Sequence, residues 1–448
     1  MRTDASVADI EKATIKKMTI RLIPFLMLCY FIAYIDRVNI GFAALTMNDD
    51  IGLTATMFGF GATLFFVAYV LFEMPSNVAM EKFGARRWIA RIMITWGIVG
   101  FCTAFITGPI SFGIARFLLG AAEAGFFPGV ILYLTTWFPK AYMARIVAVF
   151  MVAVPLSNFI GSPLSALLLK MDGILDFRGW QWLLMLEAAP AVILGILVLF
   201  ILPSNSKEAR WLTQEQKDWL ANKLEEERKE REVKGDGKKA KHGMGKIWAA
   251  MTNKYVLLLS VIYMSISATS NTLSLWMPQI LKSFGLTEME TGLLNMIPFG
   301  IGAVFMIYWA IRADKIGDRM YSTAIPLAIT GLSFAATLLT DSLTVTLILL
   351  SMVLISNFAL KGPFWALTSE TLSPAVLAVG IAAVNTLGHI GTGTLNYFVG
   401  VIRHHTNSFP LALLPLACMC FVGVILVFFI GHRNARELRK AEATLAQG

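Results

Sequence analysis

The chain has 448 residues, of which 56% are hydrophobic and only 15% charged, with a mean hydropathy of +0.66. A soluble domain carries about a quarter charged residues, so there is too little polar surface here to coat a water-soluble core, and the natural solvent is a bilayer. The net charge of +9 raises nucleic acid as a partner, which the positions of the charges must decide.

Residues 1–21 are polar and form an N-terminal tail with Lys12, Lys16, Lys17 and Arg21. The apolar segment that follows is too long for a signal-peptide core, so no cleavage is expected. A spanning helix needs about 20 mostly apolar residues. Twelve stretches meet this, at 22–45, 54–75, 88–107, 110–138, 145–170, 180–202, 254–283, 289–312, 321–340, 343–369, 376–400 and 409–431. Their length predicts helices, because barrel strands would be near ten residues long and strictly alternating.

The connecting charges alternate. Lys82, Arg86, Arg87 and Arg91 lie between the second and third spans, Lys140 and Arg145 follow the fourth, Arg312, Lys315 and Arg319 the eighth, and Arg433, Arg436, Arg439 and Lys440 the last. The intervening loops are neutral or acidic, with Asp49 and Asp50, Gly108-Pro109, Glu288 and Glu290, and Asp341; Lys170 and Arg178 are offset by Asp172 and Asp176, and Arg403 is an exception. The positive-inside rule then places both termini in the cytoplasm. It also accounts for the basic balance with no nucleic acid. The four cysteines fall inside spans without metal-ligand spacing and read as small buried hydrophobes; no metal or cofactor is expected.

Residues 203–253 break the apolar pattern with a mixed charge run, read as an amphipathic cytoplasmic helix followed by a Gly/Lys-rich flexible stretch. This linker separates a bundle of six helices at 22–202 from another six at 254–431, and a cytoplasmic tail closes the chain at 432–448. After the second span of each half a pattern recurs. The first copy runs from Asn77 through Glu81, Lys82, Gly84 and Arg86, the second from Ala310 through Asp314, Lys315, Gly317 and Arg319. Recurrence at the same place implies duplication and a pseudo-two-fold pair of bundles.

This pattern resembles the loop signature of the major facilitator superfamily, G-x-x-x-D-R/K-x-G-R-R/K. Asn77 and Ala310 stand in place of the first glycine and Glu81 in place of the aspartate. The resemblance implies an all-α membrane protein of twelve helices in two pseudo-symmetric six-helix bundles. It also implies that Glu81, Lys82, Gly84, Arg86, Asp314, Lys315, Gly317 and Arg319 form a cytoplasmic gate that latches the bundles in one conformation. An acid near helix ends can pair with arginines when the bundles close and release them when they part.

Charges also lie deep in the apolar spans, in Asp36-Arg37 of the first and in Arg116 and Glu123 of the fourth. Seven residues are nearly two turns, so Arg116 and Glu123 share one helix face about 10 Å apart. Asp36 lies about 21 Å from the cytoplasmic side and Arg116 about 9 Å from the outer side. In a core about 30 Å thick these are one level, so Asp36 and Arg37 are expected to meet Arg116.

The stretches IDRVNIGFA, RFLLGAAEAGFFPG and GWQWLLMLEAAPAVILG resemble the anion:cation symporter family within that superfamily. The likeness runs along all twelve spans. It implies uptake of an organic anion coupled to a cation, usually H⁺, with Asp36 and Glu123 as proton-coupling carboxylates and Arg37 and Arg116 as substrate or gating arginines. The residues agree by themselves. An acid paired with arginine changes its proton affinity when the pair breaks, and a substrate carboxylate competes for the same arginine.

Lys361, in the K-G-P-F-W stretch of the tenth span, reads either as a cation for a second carboxylate or as a lysine snorkelling to the cytoplasmic side. The Gly362-Pro363 pair after it can break the helix. Tyr34, Tyr69, Trp365 and Asn385 are candidate substrate contacts, with Asn158, Asn271 and Ser369 as further polar groups; His389 is a secondary proton site and Glu187 a brace between helices.

No G-x-x-x-x-G-K-[ST] loop or H-E-x-x-H motif is present, so neither ATP-driven pumping nor enzyme chemistry is expected. The sequence supports a proton-coupled symporter, acting as a monomer in a bacterial cytoplasmic (inner) membrane. It would carry a small organic carboxylate such as tartrate, a sugar acid or an aromatic acid. The alternatives are an organic-anion exchanger and a non-transporting sensor.

Overall fold

The computed structural model describes residues 4–233, 251–372 and 374–445. It is helical, with no strand among the described residues. Eleven helical segments are long and apolar enough to cross a membrane. The eleventh place in the series is filled by Pro374–Thr406, a 33-residue helix whose Asn385, His389, Thr392, Thr394 and Asn396 make it more polar. The first helix, Asp4–Asp50, begins inside the predicted tail. The second, Ala55–Phe83, outruns its apolar stretch by more than two turns. Within the linker, Gln214–Val233 is helical, and the Gly/Lys-rich stretch at 234–250 lies outside the described residues.

Three spans that read as single helices are each two. The fourth is Pro109–Glu123 plus Phe126–Thr135, the fifth Lys140–Met151 plus Ala153–Leu169, and the tenth Leu343–Ala359 plus Lys361–Thr371. Proline lacks the N–H that would bond the carbonyl four residues back, and its ring crowds that carbonyl. The residues four before Pro128, Pro155 and Pro363 are Ala124, Met151 and Ala359, each at a break. Gly125 sharpens the first break with φ +85°, a left-handed conformation that favours glycine. Proline alone does not decide the outcome, since Pro75, Pro190 and Pro278 lie inside unbroken helices.

The helix partners repeat after six spans. The third packs on the sixth as the ninth does on the twelfth; the second on the fourth as the eighth on the tenth; the first on the fifth as the seventh on the eleventh. The two bundles meet through the first and seventh, the second and eleventh, and the fifth and eighth spans.

Close backbone approach seals these seams toward the face opposite the termini. A Cβ at Gly41 would sit 2.6 Å from the Leu275 carbonyl oxygen, and one at Gly400 would sit 2.5 Å from that of Ala55. Thr63 Oγ1 donates to the Gly393 carbonyl (2.7 Å), and Asn295 Nδ2 to Ser162 Oγ (2.8 Å). Phe58 and Phe409 each meet the Trp276 ring in an edge-on contact, forming an apolar plug in the same half. Gly400→Val is expected to cost about 1–3 kcal/mol by forcing this seam apart. Thermal unfolding in detergent should show a lower midpoint, while Gly108→Ala, whose Cβ would meet nothing within 4 Å, leaves it unchanged.

Candidate functional site

Between the bundles lies a cavity of about 650 Å³. It runs from Arg37 and Arg116 in the protein interior to Asp314 and Arg319 at the face that carries the termini. The Asp314 side chain is 73% exposed, so the cavity opens on that face.

At the inner end, Arg37 donates to Glu123 in a buried ion pair. Its guanidinium also lies 5.0 Å from the Tyr34 ring, 5.5 Å from Phe65 and 5.6 Å from Tyr69. Arg116 stands 4.8 Å from the same Phe65 ring, so two cations share one aromatic ring. A ring face is negative and attracts cations without neutralising them. Glu123 is the last residue of its half-helix, and Arg116 lies two turns earlier on the same face. On the opposite wall, Lys361 begins the second half of the tenth span, its Nζ 4.4 Å from the Phe358 ring. Among the described residues, no carboxylate lies within ion-pair distance of Arg116 or Lys361.

Asp36 does not meet Arg116. Successive residues on a helix point about 100° apart; Arg37 faces the cavity and Asp36 the interior of its own bundle. There Trp96 Nε1 donates to Asp36 Oδ2 (2.6 Å), and Asn39 lies 3.4 Å from Oδ1. Depth along a helix says nothing about direction around it, and the partner that the first span meets on the fourth is Glu123, through Arg37. Glu187 accepts from Ser165 Oγ at 2.7 Å, joining the fifth and sixth spans.

Arg37, Arg116, Lys361, Tyr34 and Trp365 line the cavity, as do Asn158, Asn271 and His389. Tyr69 does not; it sits behind the wall between Arg37 and His389. Asn385 is half-buried and also off the cavity, and Ser369 is spent on the Trp365 carbonyl. Sequence reasoning missed Phe65, Tyr263, Ser267, Ser270 and Asn396. For the seventh span the signal was present: Tyr263, Ser267, Ser270 and Ser274 recur at intervals of four, three and four, a polar stripe on one helix face.

The repeated loop pattern is parted. Arg86 bonds Ser204 Oγ (3.2 Å), Glu208 (3.3 Å) and the Leu199 carbonyl, all within or beside its own bundle. The Ser204 backbone N–H, then Arg86, hold the exposed Glu208 carboxyl below the usual carboxylate range. In the second copy, Arg319 pairs with Asp314 (2.7 Å) and Glu370 (3.5 Å). Glu81 and Lys82 are exposed. Gly84 (φ +85°) and Gly317 (φ +73°) take the left-handed backbone that ends each helix, which is the reason for the repeated glycine.

Residues 26–395 match the Major Facilitator Superfamily. The chain belongs to that superfamily. Two Agrobacterium vitis proteins provisionally named tartrate transporters are similar to it. One is 45% identical, covering 96% of this chain and 97% of its own, and the other 43% identical, covering 97% and 95%. A quinolone resistance transporter of Acinetobacter baumannii is 36% identical over 96% of this chain and 97% of its own. In fold, the chain resembles a bacterial homologue of the human lysosomal transporter Spinster (TM-score 0.73, 15% identity, covering 92% of this chain and 97% of that one). It also resembles the xylose transporter XylE of Escherichia coli (TM-score 0.70, 16% identity, covering 92% and 95%). The superfamily member described here is a multi-pass membrane transporter and not an enzyme.

Removing one member of a buried ion pair strands the other charge. Arg37→Gln and Glu123→Gln should each lower stability by on the order of 3 kcal/mol, and the double replacement by less than their sum. Thermal unfolding of the four proteins in one detergent measures the coupling; additive losses would mean that the two groups act independently.

Proposed function

We propose that the protein couples H⁺ to uptake of a small organic carboxylate, by alternating access, in a bacterial cytoplasmic membrane with both termini in the cytoplasm and the monomer as working unit. One observation carries the reading: a membrane-interior cavity presents Arg116 and Lys361 from opposite bundles, each without a carboxylate partner, beside an Arg37–Glu123 pair. Cations without a direct ion pair at such depth are costly, and a ligand with two carboxylates would pair with one on each wall. The names of the Agrobacterium vitis relatives point the same way.

The chemistry proposed is an exchange of partners. A proton arriving on a Glu123 carboxyl oxygen removes the charge that holds Arg37. The freed guanidinium takes a substrate carboxylate in its place, as a planar fork suited to two oxygens. Release of substrate on the cytoplasmic side returns Arg37 to Glu123, which then loses its proton there. Asp36 is the second proton-coupling acid, acting from within the N-terminal bundle. Tyr34 and Trp365 offer flat apolar contact to the body of the ligand.

The test is uptake into proteoliposomes, with labelled tartrate and an aromatic monocarboxylate as probes. An inward proton gradient without internal substrate should drive accumulation, and exchange without a pH response would instead favour an anion exchanger. Asp36→Asn and Glu123→Gln are expected to abolish uphill uptake, with Glu123→Gln retaining exchange. Arg116→Ala should weaken binding at least about tenfold by calorimetry, the equivalent of about 1.4 kcal/mol; wild-type affinity would remove it from the site.

A further inference from the structure

One buried acid remains outside this scheme. Glu73 lies in the second span, about 15 Å from the helix end at Phe83. It is 7% exposed, and among the described residues it makes no hydrogen bond or ion pair. The other three interior acids of its bundle are engaged: Asp36 with Trp96, Glu123 with Arg37, Glu187 with Ser165. Phe66, Tyr69 and Glu73 follow at intervals of three and four, one buried stripe on one helix face. That face looks across the bundle seam. Phe66 stacks on His389 of the eleventh span at 5.8 Å, Tyr69 lies 5.6 Å from the same ring, and Glu73 stands within electrostatic reach of Tyr263 in the seventh.

Lys361 lies at the matching level in the other bundle. It lies ten residues before the tenth span's end at Thr371, again about 15 Å. Tyr263 stands between the two regions, its ring 5.6 Å from Phe364 and 5.0 Å from Trp365, just past Lys361. No other lysine or arginine lies between Leu343 and Thr371. An acid and a base, neither in an ion pair among the described residues, thus lie at one depth in opposite bundles, Lys361 on the cavity wall and Glu73 behind it, with Tyr263 between them.

We propose that Glu73 pairs with Lys361 when the terminal mouth closes on an empty cavity, standing in for the substrate carboxylate. The proposal rests on the carboxylate-transport reading, and it supplies what symport requires. A carrier that returns empty must bury Lys361 without a ligand, and a buried lysine without a counter-charge obstructs that return. Glu73 removes the obstruction, so the empty carrier can cycle; without Glu73 only the loaded carrier can.

Proteoliposomes with labelled tartrate as probe test this. In Glu73→Gln, net uptake should fall at least about tenfold while tartrate/tartrate exchange stays within about twofold. Adding Lys361→Gln should raise net downhill uptake, measured at saturating tartrate because Lys361 also holds the ligand, to the level of Lys361→Gln alone, since the stranded cation is gone, an effect expected neither of a proton site nor of a structural residue. Net uptake at the wild-type level in Glu73→Gln, or a double variant no better than the single, would overturn the proposal. A second measurement needs no transport. In a chain freed of its native cysteines, a Glu73→Cys/Lys361→Cys pair should be joined by a short bis-maleimide without anion; failure to join would also overturn it. If the unmodified protein moves no carboxylate, the transport reading fails, while the crosslink still reports on the pair.

Discussion

A charge in a low-dielectric interior needs a counter-charge close by, and this constraint organises the protein. Arg37 and Glu123 satisfy each other across the first and fourth spans. Neither Arg116 nor Lys361 is in an ion pair among the described residues; each has an aromatic ring against it, and Arg116 shares the field of Glu123 with Arg37. The cavity is therefore an incomplete electrostatic structure with room for negative charge between its walls. Every step of the proposed cycle is a change in which carboxylate, the protein's or the ligand's, completes it.

The backbone is broken where this matters. Glu123 ends the first half of the fourth span and Lys361 begins the second half of the tenth, the corresponding helices of the two bundles. A helix break releases backbone groups and gives the neighbouring side chain freedom that a continuous helix denies. The glycine-packed seams toward the opposite face hold the bundles together in this state, while the repeated acid–lysine–glycine loops on the terminal face are engaged only within their own bundles or with the linker. One face is shut by close backbone contact and the other is open, with the charged groups between them.

Much of this was legible in the sequence, because bilayer physics writes long apolar runs and places loop charges in recognisable patterns. The two halves followed from the recurrence of Glu81-Lys82-Phe83-Gly84 as Asp314-Lys315-Ile316-Gly317. Direction around a helix was harder. Depth placed Asp36 level with Arg116, yet the adjacent Arg37 takes the cavity face while Asp36 turns to Trp96. Tyr69 and Asn385 failed in the same way: they lie on the right helices but off the cavity wall. Glu73 was not singled out: the predicted span stops at Pro75, two residues later, whereas the helix continues to Phe83.

The central claim is that holding a carboxylate and holding a proton are one event at Arg37 and Glu123. The most direct test is proton uptake on binding, read with a pH indicator in weakly buffered detergent solution as tartrate is added. The account predicts that about one proton is taken up per anion bound near neutral pH, and that Glu123→Gln binds the anion without the pH change. Anion binding by the unmodified protein with no proton uptake at any pH near neutrality would contradict it.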